Sequence, residues 1–203
     1  MRLKALLLAL LPLAATKALL SGEHTFNGQS SGSHMSNITW TGRIAEHGDT
    51  MSFTGPSLQQ IEAQIRKINP AFAWSANEFG SRRDVSDPSL SEGEILCDLP
   101  WDPPFASVYH IRQGISHLRK IHGDCTNGPG PGNCGRVSCS YSSGIWFCND
   151  NPHPMSVPCS TFGDRASDII EKCYSFGDFP TDSVYGQAFD TDGWNVIIAG
   201  ADC

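Results

Sequence analysis

No cysteine precedes Cys97, and the chain also lacks the motifs that mark several common kinds of site. No two cysteines form a C-x-x-C pair, so their spacing matches neither a closed zinc site nor a dithiol redox motif. The one match to G-x-S-x-G, GQSSG at residues 28–32, falls in a Ser/Gly-rich stretch rather than at the strand-to-helix turn where this motif holds a catalytic serine. Beyond residues 5–15, no apolar run approaches the about 20 residues that a helix needs to cross a membrane. We therefore expect no metal, no cofactor and no membrane span.

Basic residues are few as well. The chain has 14 Lys and Arg against 21 Asp and Glu, which gives a formal net charge of −7. Residues 1–18 carry three of the basic residues and no acidic one, so the remainder of the chain has a net charge of −10. An acidic protein of this kind is repelled by phosphate backbones and anionic lipid, so nucleic acid is not expected as a partner.

Residues 1–18 have the features of a secretory signal peptide. Arg2 and Lys4 precede an apolar stretch, and small residues lead up to a cleavage position after Ala18. Residues 19–36 are rich in Ser and Gly and show no periodicity, which is typical of a flexible stalk. We therefore expect a secreted, extracellular protein whose mature chain begins after Ala18.

Residues 97–203 contain an even number of cysteines. In a secreted protein this indicates a disulfide framework rather than metal or redox chemistry. The eight residues are Cys97, Cys125, Cys134, Cys139, Cys148, Cys159, Cys173 and Cys203.

One pairing is predicted from a hairpin in the segment RVSCSYSSGIWFCND. If Ser143 and Gly144 form a two-residue loop, Cys139 faces Cys148 in a non-hydrogen-bonded pair, where the Cα atoms are close enough to be bridged. The alternative is a wider turn over residues 141–144, with each cysteine bonded to a helix instead.

The other pairings stay open, because eight cysteines allow 105 connectivities. A local disulfide between Cys125 and Cys134 would restrain the Gly/Pro-rich loop between them. Cys173, on a predicted helix, is a weaker candidate partner for the terminal Cys203.

Periodicity predicts an α+β protein with a disulfide-stapled C-terminal core, in which helices cover one face of a mostly antiparallel sheet. Residues 37–72 read as a cysteine-free strand-strand-helix unit that docks on this core, and residues 73–106 as a long irregular loop. Residues 107–203 read as helix, hairpin, helix, hairpin. Asp164 is the expected N-terminal cap of the second of these helices.

Two sites of covalent modification are suggested by short motifs. Asn37 begins the one Asn-Ile-Thr sequon and is a candidate glycosylation site in a secreted chain. Arg82 and Arg83 form a dibasic pair in the irregular loop, where a kexin-type protease would cut, or where the pair is simply a solvated surface feature.

The spacing of the histidines does not predict a metal site. His110 and His117 are seven residues apart, which does not converge two imidazoles on one ion as a spacing of four does. His122 and His153 fall in predicted loops, so surface histidines are expected at all four positions.

The sequence also shows no complete set of catalytic residues. Asp150 and Glu171 are the nearest candidates for the paired carboxylates of a glycoside hydrolase, although a turn and a solvated helix explain them as well. Arg112, His117 and Glu171 have the composition of a ribonuclease site without its pattern. We therefore predict that the protein is not an enzyme.

Three segments resemble a known family. They are GPGPGNCGRVSCSYSSGIWFCNDN at residues 128–151, GQAFDTDGWNVIIAGADC at residues 186–203 and TGPSLQQIEAQIRKINP at residues 54–70. They are similar to secreted cysteine-rich proteins of filamentous fungi grouped as extracellular-protein-two-type effectors, and the likeness covers residues 37–203. The resemblance implies an extracellular effector with a small α+β fold like that of fungal killer toxins. It implies no catalytic residue.

Two functions follow as expectations. The first is a non-enzymatic effector or toxin-like protein that acts on a host or competing organism through its surface. The second is a protein that binds cell-wall carbohydrate through exposed aromatic rings, with Trp74, Trp101 and Trp146 as candidates, although burial in the core is the ordinary role of such residues. A small secreted hydrolase is the least favoured.

Overall fold

The computed structural model describes residues 35–74, 92–174 and 182–203. These residues form three helices and eleven strands. The helices are α1 (Leu58–Ile68), α2 (Val108–Leu118) and α3 (Thr161–Cys173). The strands are β1 (Ile38–Arg43), β2 (Thr50–Gly55), β3 (Glu92–Leu96), β4 (Ala106–Ser107), β5 (Asp124–Asn127), β6 (Asn133–Ser140), β7 (Ser143–Asn149), β8 (Met155–Pro158), β9 (Ser183–Val184), β10 (Gly186–Asp190) and β11 (Trp194–Gly200).

The centre of the molecule is a five-stranded antiparallel sheet with the strand order β3-β10-β11-β7-β6. Helices α2 and α3 pack side by side on one of its faces. Alternation along β7 and β11 sends Ile145, Phe147, Val196 and Ile198 into the core under these helices. The other face carries a smaller apolar cluster around Trp146 and Ile197. Antiparallel sheets together with helices are therefore confirmed as the fold class.

The cysteine-free unit belongs to a second sheet. Its hairpin β1–β2 continues through β1 into β5 and then β8, in the order β2-β1-β5-β8. Helix α1 begins after Ser57, whose side chain accepts a hydrogen bond from the backbone of Gln60, and it buries Leu58, Ile61 and Ile65. The hairpin and α1 match the sequence prediction. The second sheet was not predicted, and strands dominate the architecture more than a single helix-covered sheet would.

The segment 73–106, predicted as an irregular loop, contains strands in the part that the structure describes, whereas residues 75–91, with Arg82 and Arg83, lie outside the described residues. Strand β3 lies in this segment and pairs with β10 at the edge of the five-stranded sheet, and Ala106 of β4 pairs with Val184 of β9. At the other boundary, Met35 bridges to Cys134 and the hydroxyl of Ser36 donates to Asn127, so the last two residues of the predicted stalk already contact the fold.

The predicted register of the β6–β7 hairpin is wrong. Tyr141 and Ser142 form the loop, both with positive φ as a type I′ turn requires, so Ser140 faces Ser143. The register also shifts between Arg136 and Ser138, which is typical of a β-bulge. Cys139 consequently faces Gly144 rather than Cys148.

The four disulfides differ from each proposed pairing. Cys148 is bonded to Cys134, its cross-strand partner in the corrected register, and Cys139 is bonded to Cys203. The alternative, a wider turn with each cysteine bonded to a helix, is wrong as well, because neither Cys139 nor Cys148 is bonded to a helical residue.

The remaining two disulfides join Cys125 to Cys159 and Cys97 to Cys173. This overturns the pairings of Cys125 with Cys134 and of Cys173 with Cys203. All eight cysteines are paired.

Buried amides hold the Gly/Pro-rich loop in place of the expected local disulfide. Asn127 is fully buried and donates to the carbonyls of Asn133 (2.6 Å) and Phe147 (3.1 Å). Asn149, also fully buried, donates to the carbonyls of Gly128 and His153, both at 2.8 Å. Short amide side chains that satisfy several backbone groups at once fix irregular segments without a covalent link.

Candidate functional site

The three candidate tryptophans do not form an exposed surface. Trp74 is 8% exposed and packs edge-on against Trp40, and Trp146 is 2% exposed on the outer face of the five-stranded sheet. Trp101 is partly buried against the same outer cluster. These three residues therefore contribute to packing.

Other aromatic rings are exposed instead. Tyr141 is 77% and Tyr109 64% exposed. The ring of Tyr141 stacks on His110, with centroids 4.4 Å apart and an interplanar angle of 17°. One face of the Tyr141 ring is covered by this contact. The hairpin loop and the first turn of α2 thus present an aromatic surface that sequence patterns did not indicate.

The other candidate histidines lie in separate places. Burial lowers the pKa of His117, and the nearby Glu62 opposes this by raising it. The ring of His122 hydrogen-bonds to the carbonyl of Arg43, and that of His153 to its neighbouring backbone. Within residues 35–74, 92–174 and 182–203, no three His, Cys, Asp or Glu side chains are arranged to hold a metal ion.

The carboxylates proposed for catalysis have different environments. Asp150 accepts hydrogen bonds from the backbone of Gly132 (3.0 Å) and the amide of Asn195 (2.7 Å), so it stabilises a turn. Glu171 is exposed on α3. It lines a cleft together with Arg112, and His117 does not line that cleft. The ribonuclease-like set is thus brought together only in part.

This cleft lies between α2 and α3 and is the candidate functional site. It is open to solvent and has a volume of about 590 Å³. Its charged and polar walls are Arg112, Ser116, Arg119 and Lys120 from α2 and the residues after it, and Ser167 and Glu171 from α3. Ile115 and Ile170 supply apolar surface. Ser116 lies one turn after Arg112 on the same face of α2, and Arg119 and Lys120 follow directly after the last residue of the helix.

The two helices run antiparallel and close together at one end. Arg119, at the end of α2, pairs with Asp164 in the first turn of α3 at 2.8 Å. Asp164 therefore lies inside α3, which begins at Thr161, and is not its N-cap. A Cβ on Gly163 would lie 2.9 Å from Cγ of Arg119, so glycine permits this close approach.

Apart from the Arg119–Asp164 pair, the charged side chains that line the cleft are uncompensated. In the part of the chain that the structure describes, Arg112, Lys120 and Glu171 form no ion pair. Arg112 lies close enough to Tyr174 to oppose the rise in its pKa that the hydrogen bond to Asp182 causes. The cleft therefore offers unpaired cations and one facing carboxylate, a set that binds a charged or strongly polar group.

Disulfides fix the helix that forms one wall. Cys159, two residues before α3, is bonded to Cys125 in β5, and Cys173, the last residue of α3, is bonded to Cys97. A helix stapled at both ends loses little conformational freedom when a ligand binds, and this improves affinity.

No protein-family model, curated protein sequence or solved structure matches the chain. The resemblance to fungal effectors consequently stays a prediction. None of the helices in the described residues is long and apolar enough to cross a membrane.

Proposed function

We propose that the chain is a secreted, disulfide-stabilised effector or toxin-like protein that acts on a host or competing organism by binding rather than by turnover. The cleft between α2 and α3 is the target-binding site. The observation that carries this proposal is the set of exposed, uncompensated charges of Arg112, Lys120 and Glu171 on the rim of one preformed cleft. Effector-like action on another organism rests on the sequence resemblance.

The charge pattern favours a target that presents an anionic group. Three of the cleft's charged residues are cations, whereas the whole chain carries −7. Arg112 lies within α2 and Lys120 lies two residues after its end, so the two cations occupy separate positions along the cleft, which suits a ligand with two acceptor groups or an extended one. Carboxylate, phosphate and sulfate groups match arginine and lysine donors.

The extracellular setting is part of the same proposal. All eight cysteines are paired in four disulfides, which persist in oxidising compartments such as the extracellular space. Secretion itself rests on the signal peptide predicted for residues 1–18.

The test compares wild-type protein with Arg112→Gln/Lys120→Gln when each is applied to host tissue or to a rival fungus. Each charge-assisted contact contributes about 1.5–3 kcal/mol, so the double variant should need at least about tenfold more protein for the same response. Lys67→Gln, at an exposed position on α1, is the matched control and should behave as wild type. An unchanged response to the double variant would contradict the proposed site.

Cell-wall binding is the second candidate function, now through Tyr141 and Tyr109 rather than the three tryptophans. Their exposure and the stacking of Tyr141 on His110 favour a flat surface for a sugar ring. Pull-down with insoluble chitin or glucan should then be lost in Tyr141→Ala and kept in Ile68→Ala, which removes an exposed apolar side chain from α1. Equal retention of both variants would exclude this surface.

A further inference from the structure

The outward face of the four-stranded sheet is lined with hydroxyl groups. Alternation along the strands places Trp40 and Ile38 in the core and leaves their neighbours on the opposite side. We call this side the hydroxyl face. It consists of Thr39 and Thr41 in β1, Ser52 and Thr54 in β2, Thr126 in β5 and Ser156 in β8.

The strand register brings these hydroxyls together in pairs. Thr39 and Thr54 are 2.7 Å apart, and Thr41 and Ser52 are 2.8 Å apart. The hydroxyl of Thr126 donates to that of Ser156 at 3.0 Å on the neighbouring strands. A hydroxyl has one donor and two acceptor sites, so each pair leaves capacity for further hydrogen bonds from above the sheet.

Asn37 lies on the same side of the chain as this face. It is exposed and immediately precedes β1, and exposure alternates from Asn37 through buried Ile38 to Thr39. Ser36, on the other side, donates to the fully buried Asn127. The alternation therefore directs the Asn37 side chain out over the hydroxyl face.

We propose that Asn37 carries an N-linked glycan whose first sugars rest on the hydroxyl face and shield the edge strand β2. This inference rests on the secretion included in the proposed function. The covered surface belongs to the four-stranded sheet, whereas the cleft lies between α2 and α3.

The chemistry of the face fits a tethered sugar better than a protein partner. Protein interfaces have an apolar, aromatic core, which this row of threonines and serines does not supply. Hydroxyl-to-hydroxyl contacts are individually weak, but attachment at Asn37 raises the effective concentration of the sugar to the millimolar range. Strand β2 ends the sheet, and an uncovered edge strand promotes association with other chains.

The first measurement is site occupancy. The full chain is secreted from yeast, and its intact mass is compared before and after treatment with an N-glycosidase. We expect a glycan mass that is lost on treatment and is absent from Asn37→Gln, which keeps every hydroxyl of the face. A wild-type protein with the unmodified mass would overturn the proposal.

The second measurement is coverage. Thr54→Lys introduces an amine on an edge strand, where lysine is well tolerated, and its acylation rate is compared in the glycosylated protein and in the Asn37→Gln background. A face covered about nine-tenths of the time reacts about tenfold more slowly. Lys67 on α1 should react equally in both and serves as the internal control. Ser52→Lys repeats the test if the first variant does not fold.

Equal rates at position 54 with an occupied Asn37 would overturn the coverage. Because neither measurement uses a host or competitor, their outcome is independent of whether the cleft binds a target.

Discussion

A single substitution that breaks the buried ion pair between α3 and the β10–β11 turn should strongly destabilise the protein. Arg165 and Asp190 are 2.9 Å apart, with side chains 5% and 1% exposed. Removing one partner of such a pair leaves an uncompensated buried charge and costs about 3–5 kcal/mol. Asp168, at 3.3 Å from Arg165, is a second carboxylate that offsets part of this loss. We therefore expect Asp190→Asn to lower the free energy of unfolding by about 3 kcal/mol.

Asparagine is chosen because it keeps the local structure of the turn. The Oδ1 atom of Asp190 accepts a hydrogen bond from the backbone of Asp192 at 3.0 Å, and an asparagine Oδ1 accepts the same bond. The substitution therefore removes the charge and the hydrogen bond that Oδ2 accepts from Arg165, while the turn keeps its own bond.

Guanidinium unfolding with intact disulfides, followed by tryptophan fluorescence, measures the change. A loss of about 3 kcal/mol shifts the midpoint by roughly 1 M. Two variants test the cause. Asp168→Asn removes a 37% exposed partner and should cost less than about 1 kcal/mol. Arg165→Met/Asp190→Asn removes both buried charges and should recover most of the loss.

Either of two results would refute a buried-charge origin of the lost stability. A cost below about 1 kcal/mol for Asp190→Asn would mean that Arg165 finds enough compensation without Asp190. A double variant no more stable than Asp190→Asn would mean that the loss comes from packing rather than from the orphaned charge.

Two further predictions concern pH and covalent connectivity. Burial lowers the pKa of His117, so at acid pH the folded protein binds fewer protons than the unfolded chain. The contribution of His117 to stability is therefore fully present above pH 6.5 and is lost as the pH falls below that value toward the lowered pKa. His117→Gln should flatten this acid limb in pH-dependent unfolding, and an unchanged slope would contradict the assignment. Alanine replacement of the Cys97–Cys173 pair, separated by 76 residues, should cost about 4.5 kcal/mol, against about 3 kcal/mol for Cys134–Cys148, separated by 14. The reverse order of unfolding midpoints would reject the chain-entropy argument.

Elements with local signals were predictable. Helix α1 has an apolar stripe, a capping serine and a stop at Asn69 and Pro70, and it ends at Ile68. The β10–β11 hairpin has a turn that ends in Gly193, whose φ of +76° favours glycine. Both elements match because short-range backbone preferences decide them.

The β6–β7 register was not predictable from such signals. Tyr141 and Ser142 occupy the two positive-φ positions of the turn, where glycine, asparagine or aspartate is usual. The irregularity near Val137 shifts the pairing again, and a valine at this position gives no sequence signal for a bulge. Two cysteines nine residues apart in sequence therefore reach different partners.

Only one wall of the candidate site has a signal in the local sequence. The polar face of α2 shows Arg112, Arg119 and Lys120 at helical spacing. The opposite wall, with Ser167 and Glu171, is recognised only once α3 is placed beside α2. Helix packing is a long-range property, so no window of sequence around Arg112 contains it.

The sequence by itself determined the number of cysteines, the amphipathic helices and the simple hairpins, because composition and short-range periodicity are local. Only the tertiary structure decided which cysteines pair, how the cysteine-free unit adds β1 to β5, and which charges share a cleft. These depend on contacts between residues far apart in the chain, such as the 76 residues between Cys97 and Cys173. Those distances close only when the whole core packs, which is why local patterns identify the parts of the molecule and the packed core decides their arrangement.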